Sequence, residues 1–180
     1  NCAGLQKETT AYGTMLTISG NGTLNAIGGS RGAGIGGVHS KDVSYITIDS
    51  GTVNATGGRN AAGIGSGDGW NDTTSSYSAT NGSHITINGG MVTATSGATG
   101  AAGIGGGNWG NGSDISITGG TVKATGTAAG IGGGEALDGH QQLTGGTGSN
   151  IKITGGTVTA VSTSTGAGIG GGEGGIGENI

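Results

Sequence analysis

Three short sequence motifs recur in the same order five times along the chain. The first motif places isoleucine or leucine on both sides of a small or polar residue, as in Ile85-Thr86-Ile87. The second alternates Val and Ala with polar residues, as at 121–125, and the third reads Ala-Gly-Ile-Gly, as at 102–105. Successive third motifs lie roughly 27 to 40 residues apart, a period typical of solenoid repeats.

All three motifs alternate with a period of two, which predicts strands and no helices. In the first motif the two isoleucines face one way, and in the second Val and Ala face inward. Three short strands per repeat match one coil of a parallel β-solenoid, in which equivalent residues of neighbouring coils stack about 4.8 Å apart. The sequence therefore predicts an all-β parallel β-helix of about five coils with three short strands each.

The composition fits a narrow solenoid and excludes several other classes. The 180 residues include 49 glycines, no proline, no phenylalanine and only five Trp or Tyr, too few bulky side chains for a layered α/β enzyme. Glycine without proline or a strict three-residue period excludes collagen. A net charge of −4 with six Lys and Arg predicts no nucleic-acid binding, and no apolar stretch is long enough for a transmembrane segment.

The recurring motifs Gly-Gly-Thr-Val-x-Ala-Thr (119–125) and Ala-Gly-Ile-Gly-Gly-Gly (102–107) resemble the glycine-rich right-handed β-helix repeats of large surface proteins of gut-type Gram-positive bacteria. The resemblance covers residues 15–180 and implies a right-handed helix, in agreement with the usual hand of parallel crossovers. It also implies a secreted or cell-surface location. We expect a lead-in at 1–14 and one solenoid domain at 15–180 that continues beyond the chain end.

The candidate site lies in the connections between the third strand of one coil and the first strand of the next. These connections contain eight of the ten acidic residues, both tryptophans and all three histidines. Because equivalent connections of successive coils stack at the same corner of a solenoid, we expect these residues to form a single ligand-binding edge. The proposed ligand-binding residues are Trp70, Trp109, Asp68, Asp72, Glu135, Asp138 and His140. Alternatively, the tryptophans cover glycine turns and the carboxylates only solvate the loops.

These residues leave several functions open. We interpret the chain as an extracellular structural and binding module of a bacterial surface protein, which adheres to glycans or to a host surface through this edge. Two pairs of carboxylates are candidate calcium ligands: Asp68 with Asp72, and Glu135 with Asp138. No other cofactor is expected. No residue is assigned to catalysis. The main alternative is a polysaccharide-active glycosidase or lyase that uses carboxylates of the two long loops.

A second alternative is a self-assembling filament subunit. An uncapped solenoid end favours end-to-end association, and outward glycines of the third strand would leave a smooth face for lateral packing. The single cysteine, Cys2, predicts either a free thiol or an intermolecular link.

Overall fold

The computed structural model describes residues 1–7, 14–71, 74, 76–136 and 144–180. It is a right-handed parallel β-helix, which confirms the fold class predicted from the repeats. Among the described residues there is no helix, and hence no helix able to cross a membrane. The chain winds through three parallel sheets, and each full coil contributes one strand to each sheet.

The first strands of the coils form the first sheet. They are β2 (Leu16–Ile18), β5 (Val43–Ile48), β10 (Gly82–Ile87), β13 (Gly112–Ile117), β16 (Gly148–Ile153) and β19 (Gly177–Glu178). The second sheet contains β3 (Thr23–Ile27), β6 (Thr52–Thr56), β11 (Met91–Thr95), β14 (Thr121–Gly126) and β17 (Thr157–Ser162). The third contains β1 (Leu5–Gln6), β4 (Ile35–Gly36), β7 (Ile64–Gly65), β12 (Ile104–Gly105), β15 (Ile131–Gly132) and β18 (Ile169–Gly170). A small antiparallel hairpin pairs β8 (Trp70–Asn71) with β9 (Ser76–Tyr77).

The coils stack in the register that the motifs predict. Ile104 pairs with Ile64 on one side and with Ile131 on the other. The second sheet keeps the same correspondence, since Val92 pairs with Val122. Like residues therefore form continuous ladders along the helix axis.

The core is a narrow column of small and branched side chains. In the central coils each first strand buries its isoleucines, each second strand its Val and Ala, and each third strand its Ile, whereas the end coils are only partly buried. In the central coils these side chains are almost completely buried, while the alternating Thr, Ser and Asn side chains of the first two sheets point outward. The period-two pattern explains this division, because successive side chains of a strand point to opposite faces.

Glycine forms the bend between the first and second strands of every coil. Gly51 and Gly90 occupy this bend with φ values of +94° and +85°. Only glycine adopts positive φ without a steric cost from Cβ, which explains its use at this bend.

The glycines that precede the third-strand isoleucines differ from the expectation. They do not form an open outer face, because Gly63 and Gly103 are buried. A Cβ atom added to Gly63 would lie 2.6 Å from the Thr95 backbone nitrogen and 2.8 Å from the Gly103 carbonyl oxygen. These glycines allow the next coil to approach closely. The prediction that they leave a smooth outer face for lateral subunit packing is therefore wrong.

The N-terminal segment, predicted to be a lead-in, contributes a rung to the third sheet. Leu5 pairs with Ile35 in parallel, and the Gly29 N–H donates a 2.8 Å hydrogen bond to the carbonyl of Cys2. Ala3-Gly4-Leu5-Gln6 is therefore a degenerate copy of the third motif. The Cys2 side chain is exposed, and the choice between a free thiol and an intermolecular link stays a prediction.

Candidate functional site

The predicted edge begins with a column of residues that follow the third strands. We call His39, Asp68, Asn108, Glu135 and Glu173 the loop column, because they occupy equivalent positions in successive coils. Parallel backbone bonds establish this register. The Ser40 N–H donates to the Asp68 carbonyl at 2.7 Å, and the Trp109 N–H donates to the Glu135 carbonyl at 3.1 Å. The solenoid thus stacks the polar residues as expected.

Asp68 is the centre of a polar network inside this column. Its side chain is buried, and the Arg31 guanidinium Nε lies 3.5 Å from Asp68 Oδ2. The Asn60 amide donates to the same oxygen at 3.4 Å, and the Trp70 N–H donates to Oδ1 at 3.2 Å. The Thr99 hydroxyl in turn donates to Asn60 Oδ1. This network links three consecutive coils, so Asp68 has a structural role.

Burial raises the pKa of Asp68 above 3.8, and the Trp70 N–H, Asn60 and Arg31 only partly offset this effect. The folded chain therefore binds this proton more tightly than the unfolded chain. The resulting stability is complete below about pH 3.8 and is lost as the pH rises through the folded pKa.

We expect Asp68→Asn to remove this pH dependence, because an amide does not titrate in this range. Urea unfolding of both proteins from about pH 3 to pH 7 gives the free-energy difference at each pH. Wild type minus Asp68→Asn should decrease as the pH rises. Carboxyl groups common to both proteins cancel in this difference. A difference that rises with pH would mean that ion pairing with Arg31 outweighs the burial of Asp68.

The other predicted ligand-binding residues differ in burial. Trp109 is only 4% exposed, so little of its indole surface is accessible to a ligand. Trp70 is half-buried at the start of the hairpin, and Glu135 is half-buried in the loop column. The remaining three lie outside the described residues: Asp72, Asp138 and His140.

The ligand-binding role of these seven residues stays a prediction. The burial of Trp109 agrees with the alternative that it covers glycine turns, and Trp70 keeps more accessible surface for a ligand. The part of the chain that the structure describes contains no group of three or more His, Cys, Asp or Glu side chains arranged for a metal ion. The calcium hypothesis depends on Asp72 and Asp138 and stays a prediction as well.

A second feature of the same side of the molecule is an open groove at the start of the first sheet. It has a volume of about 680 Å³ and runs across four coils. We call it the Ser/Asx groove. Its lining residues are Asp42, Val43, Ser44, Asn81, Ser83, Asn111, Ser113, Thr147 and Ser149. None of them is among the ligand-binding residues predicted from the sequence.

One wall of the groove is a ladder of side-chain carbonyl groups. Asp42 Oδ1 accepts the Asn81 N–H at 2.7 Å, and Asn81 Oδ1 accepts the Asn111 N–H at 2.9 Å. Asn111 Oδ1 continues the ladder to the Thr147 N–H at 2.8 Å. Each bond satisfies a backbone donor of the next coil, which fixes the wall in place. Only the carbonyl side of each asparagine is used in this way, so the amide NH₂ groups are left to donate.

The other wall is a ladder of serine hydroxyls. Ser83 pairs in register with Ser44 and with Ser113, and Ser113 pairs with Ser149. All four serines are half-buried, and strand stacking spaces them about 4.8 Å apart. The groove therefore repeats the same hydroxyl, carbonyl and amide groups once per coil.

A column of residues with left-handed backbone lies beside the groove. We call Tyr45, His84, Asp114, Asn150 and Asn179 the rim column, and their φ values lie between 51° and 62°. The rings of Tyr45 and His84 are 4.7 Å apart. The Asn150 amide donates to Asp114 Oδ1 at 3.1 Å, and the Asn179 amide donates to Asn150 Oδ1 at 3.2 Å. Each of these residues directly precedes an isoleucine of the repeat, and this shared position is the sequence feature from which the column could have been predicted.

The Ser83, His84 and Asp114 side chains differ from a nucleophilic triad. His84 Nδ1 lies 3.2 Å from Ser83 Oγ and 3.9 Å from Asp114 Oδ2. In a triad the base contacts the nucleophile through one ring nitrogen and the carboxylate through the other. Here both contacts involve the same nitrogen, so this arrangement cannot relay a proton from the serine to the carboxylate. Its polar groups can instead donate and accept hydrogen bonds at the groove.

A protein-family model described as a beta helix repeat matches residues 16–37, 46–68, 85–108, 115–135 and 151–173. These segments make up more than half of the chain. Each runs from a first strand to just past a third strand, so the residues lining the groove lie between the matched segments. No curated protein and no solved structure matches the chain. The shared coil pattern and this match place the chain in the beta-helix repeat family.

Proposed function

We propose that this chain is an extracellular structural and binding module that holds carbohydrate chains along the Ser/Asx groove. The resemblance of its motifs to surface proteins of gut-type Gram-positive bacteria supports a secreted or cell-surface location and a role in adhesion. The β-helix supplies a rigid scaffold, and the groove supplies the binding surface.

The in-register serine and Asx ladders carry this proposal. Small-molecule pockets are usually enclosed and mostly apolar. This groove is open, and eight of its nine lining residues are polar, all except Val43. It presents the same hydrogen-bonding groups at each coil, which suits an extended polymer with repeated hydroxyl groups. Several weak contacts along one chain add up to useful affinity by multivalency.

The charge of the groove favours neutral carbohydrate chains. Asp42 is the one charged residue among its nine lining residues. The rim column adds Asp114 beside the groove. No lysine or arginine lines the groove to pair with a carboxylate or sulfate group of an acidic polysaccharide.

A blocking substitution tests this function. Ser113→Tyr places a large side chain in the groove, whereas Ser116→Tyr makes the same change at another half-buried, outward position of β13 that does not line the groove. Affinity electrophoresis in gels containing neutral β-glucan, xylan or galactomannan measures binding. We expect wild type and Ser116→Tyr to be retarded by at least one of these, and Ser113→Tyr to bind about tenfold more weakly.

Two results would contradict this function. One is wild-type protein that migrates freely in all three gels. The other is equal retardation of the two tyrosine variants, which would place binding elsewhere. Trp70→Ala in the same gels then tests the predicted loop edge, because Trp70 lies outside the groove lining.

A further inference from the structure

The rim column contains one residue that fits its backbone poorly. Left-handed φ is tolerated by Asn and Asp and is several-fold enriched for His, but it is a genuine outlier for a bulky residue. Four of the five rim positions hold Asn, Asp or His, whereas the remaining one holds Tyr45 with φ 62°. The fold needs a left-handed residue here and does not need a tyrosine.

Tyr45 also lies where a ligand bound in the groove would contact its side chain. It directly follows the groove residue Ser44 on β5, and its side chain is half-buried. Its ring lies against His84, and His84 Nδ1 lies 3.2 Å from the hydroxyl of the groove residue Ser83. The aromatic pair therefore forms the rim of the groove over two coils. Asp114 and Asn150 form the rim over the next two.

Strained backbone conformations cluster at active sites and ligand-binding sites. We propose that Tyr45, held in place by the His84 ring, is a ligand-contacting residue at the rim of the Ser/Asx groove. Its phenol hydroxyl can donate and accept hydrogen bonds to a sugar unit, and its ring supplies apolar contact area. This inference rests on the proposed carbohydrate-binding function.

The test is Tyr45→Asn, which introduces the residue that the same column uses at 150 and 179. Relief of the backbone cost should raise the melting temperature by about 2–4 °C. Loss of the ring should weaken binding about tenfold, measured with the polysaccharide that retards wild type. Thr47→Asn is the control, because Thr47 is an outward residue of the same strand β5 that does not line the groove, and we expect it to bind like wild type.

The outcomes separate this inference from the function on which it rests. Wild-type protein that binds none of the polysaccharides refutes both. Retardation of wild type and Tyr45→Asn to the same extent overturns only the role of Tyr45. A melting temperature that falls in Tyr45→Asn overturns the premise that the tyrosine is costly for the fold. Higher stability together with weaker binding supports the proposal.

Discussion

Replacing Gly65 with alanine is expected to lower the free energy of unfolding by about 4 kcal/mol, through backbone strain and steric overlap together. Gly65 ends the third strand β7 with φ +143°, a conformation that side chains rarely adopt. A Cβ atom at this position would lie 1.9 Å from the carbonyl oxygen of Gly105 in the next coil. Since the carbonyl belongs to a stacked backbone, it cannot move away without opening the ladder.

Two other glycines separate the contributions of strain and overlap. Gly20 has φ +113°, but an added Cβ would have nothing within 4 Å, so Gly20→Ala should cost only about 1–3 kcal/mol from strain. Gly22 has neither a strained φ nor a close neighbour, so Gly22→Ala should change stability by less than about 1 kcal/mol. Urea unfolding of the three variants measures the series. Equal stability of Gly65→Ala and Gly22→Ala would show that the coils can separate at this point at little cost.

The same close approach explains why the chain is rich in glycine. Gly65, Gly105 and Gly132 occupy equivalent positions, and an added Cβ at each would meet the carbonyl oxygen of the following coil at 1.9–2.2 Å. The requirement is therefore set by contacts between coils. The repeat predicts where these glycines stack, but a sequence does not show that their missing side chains face another backbone. For that reason the sequence alone suggests an open outer face.

Much of the fold could be predicted from the sequence, because its signal is periodic. The spacing of Ile64, Ile104 and Ile131 defines both the strands and their register, and the structure confirms them. The rung formed by Leu5 was missed because this copy of the motif has Leu in place of Ile and Gln in place of Gly. A degenerate copy without its own first and second strands carries too little pattern to be recognised.

The candidate site was harder to predict, because the most conspicuous residues of the sequence are not the ones that line the groove. Asp68 and Trp109 attract attention by charge and size, yet both side chains are buried, because backbone hydrogen bonds hold their loops against the turns that precede the third strands. The groove is built from Ser and Asn, which are ordinary in turns and gain meaning only when stacked. Ser83 and Ser113 could have been aligned from the repeats, but the left-handed backbone of Tyr45 has no signal in composition.

A second large effect is expected from Ile117→Ala, which tests the core column directly. Ile117 lies on β13 between Ile87 and Ile153, and its side chain is completely buried. Truncation removes buried methyl groups and leaves a cavity between backbones that hydrogen bonds hold at fixed spacing. We expect a loss of about 2–5 kcal/mol in the free energy of unfolding, measured by urea denaturation.

Ile153→Ala is the matched control, because Ile153 occupies the same position one coil later but is 40% exposed. The same atoms are removed there from a partly hydrated site, so we expect a loss below about 1 kcal/mol. If the two variants are equally destabilised, burial between coils is not what makes this position important. If only Ile117→Ala unfolds at a clearly lower urea concentration than wild type, stability comes from each coil covering the isoleucine of its neighbour. A single coil cannot do this for itself.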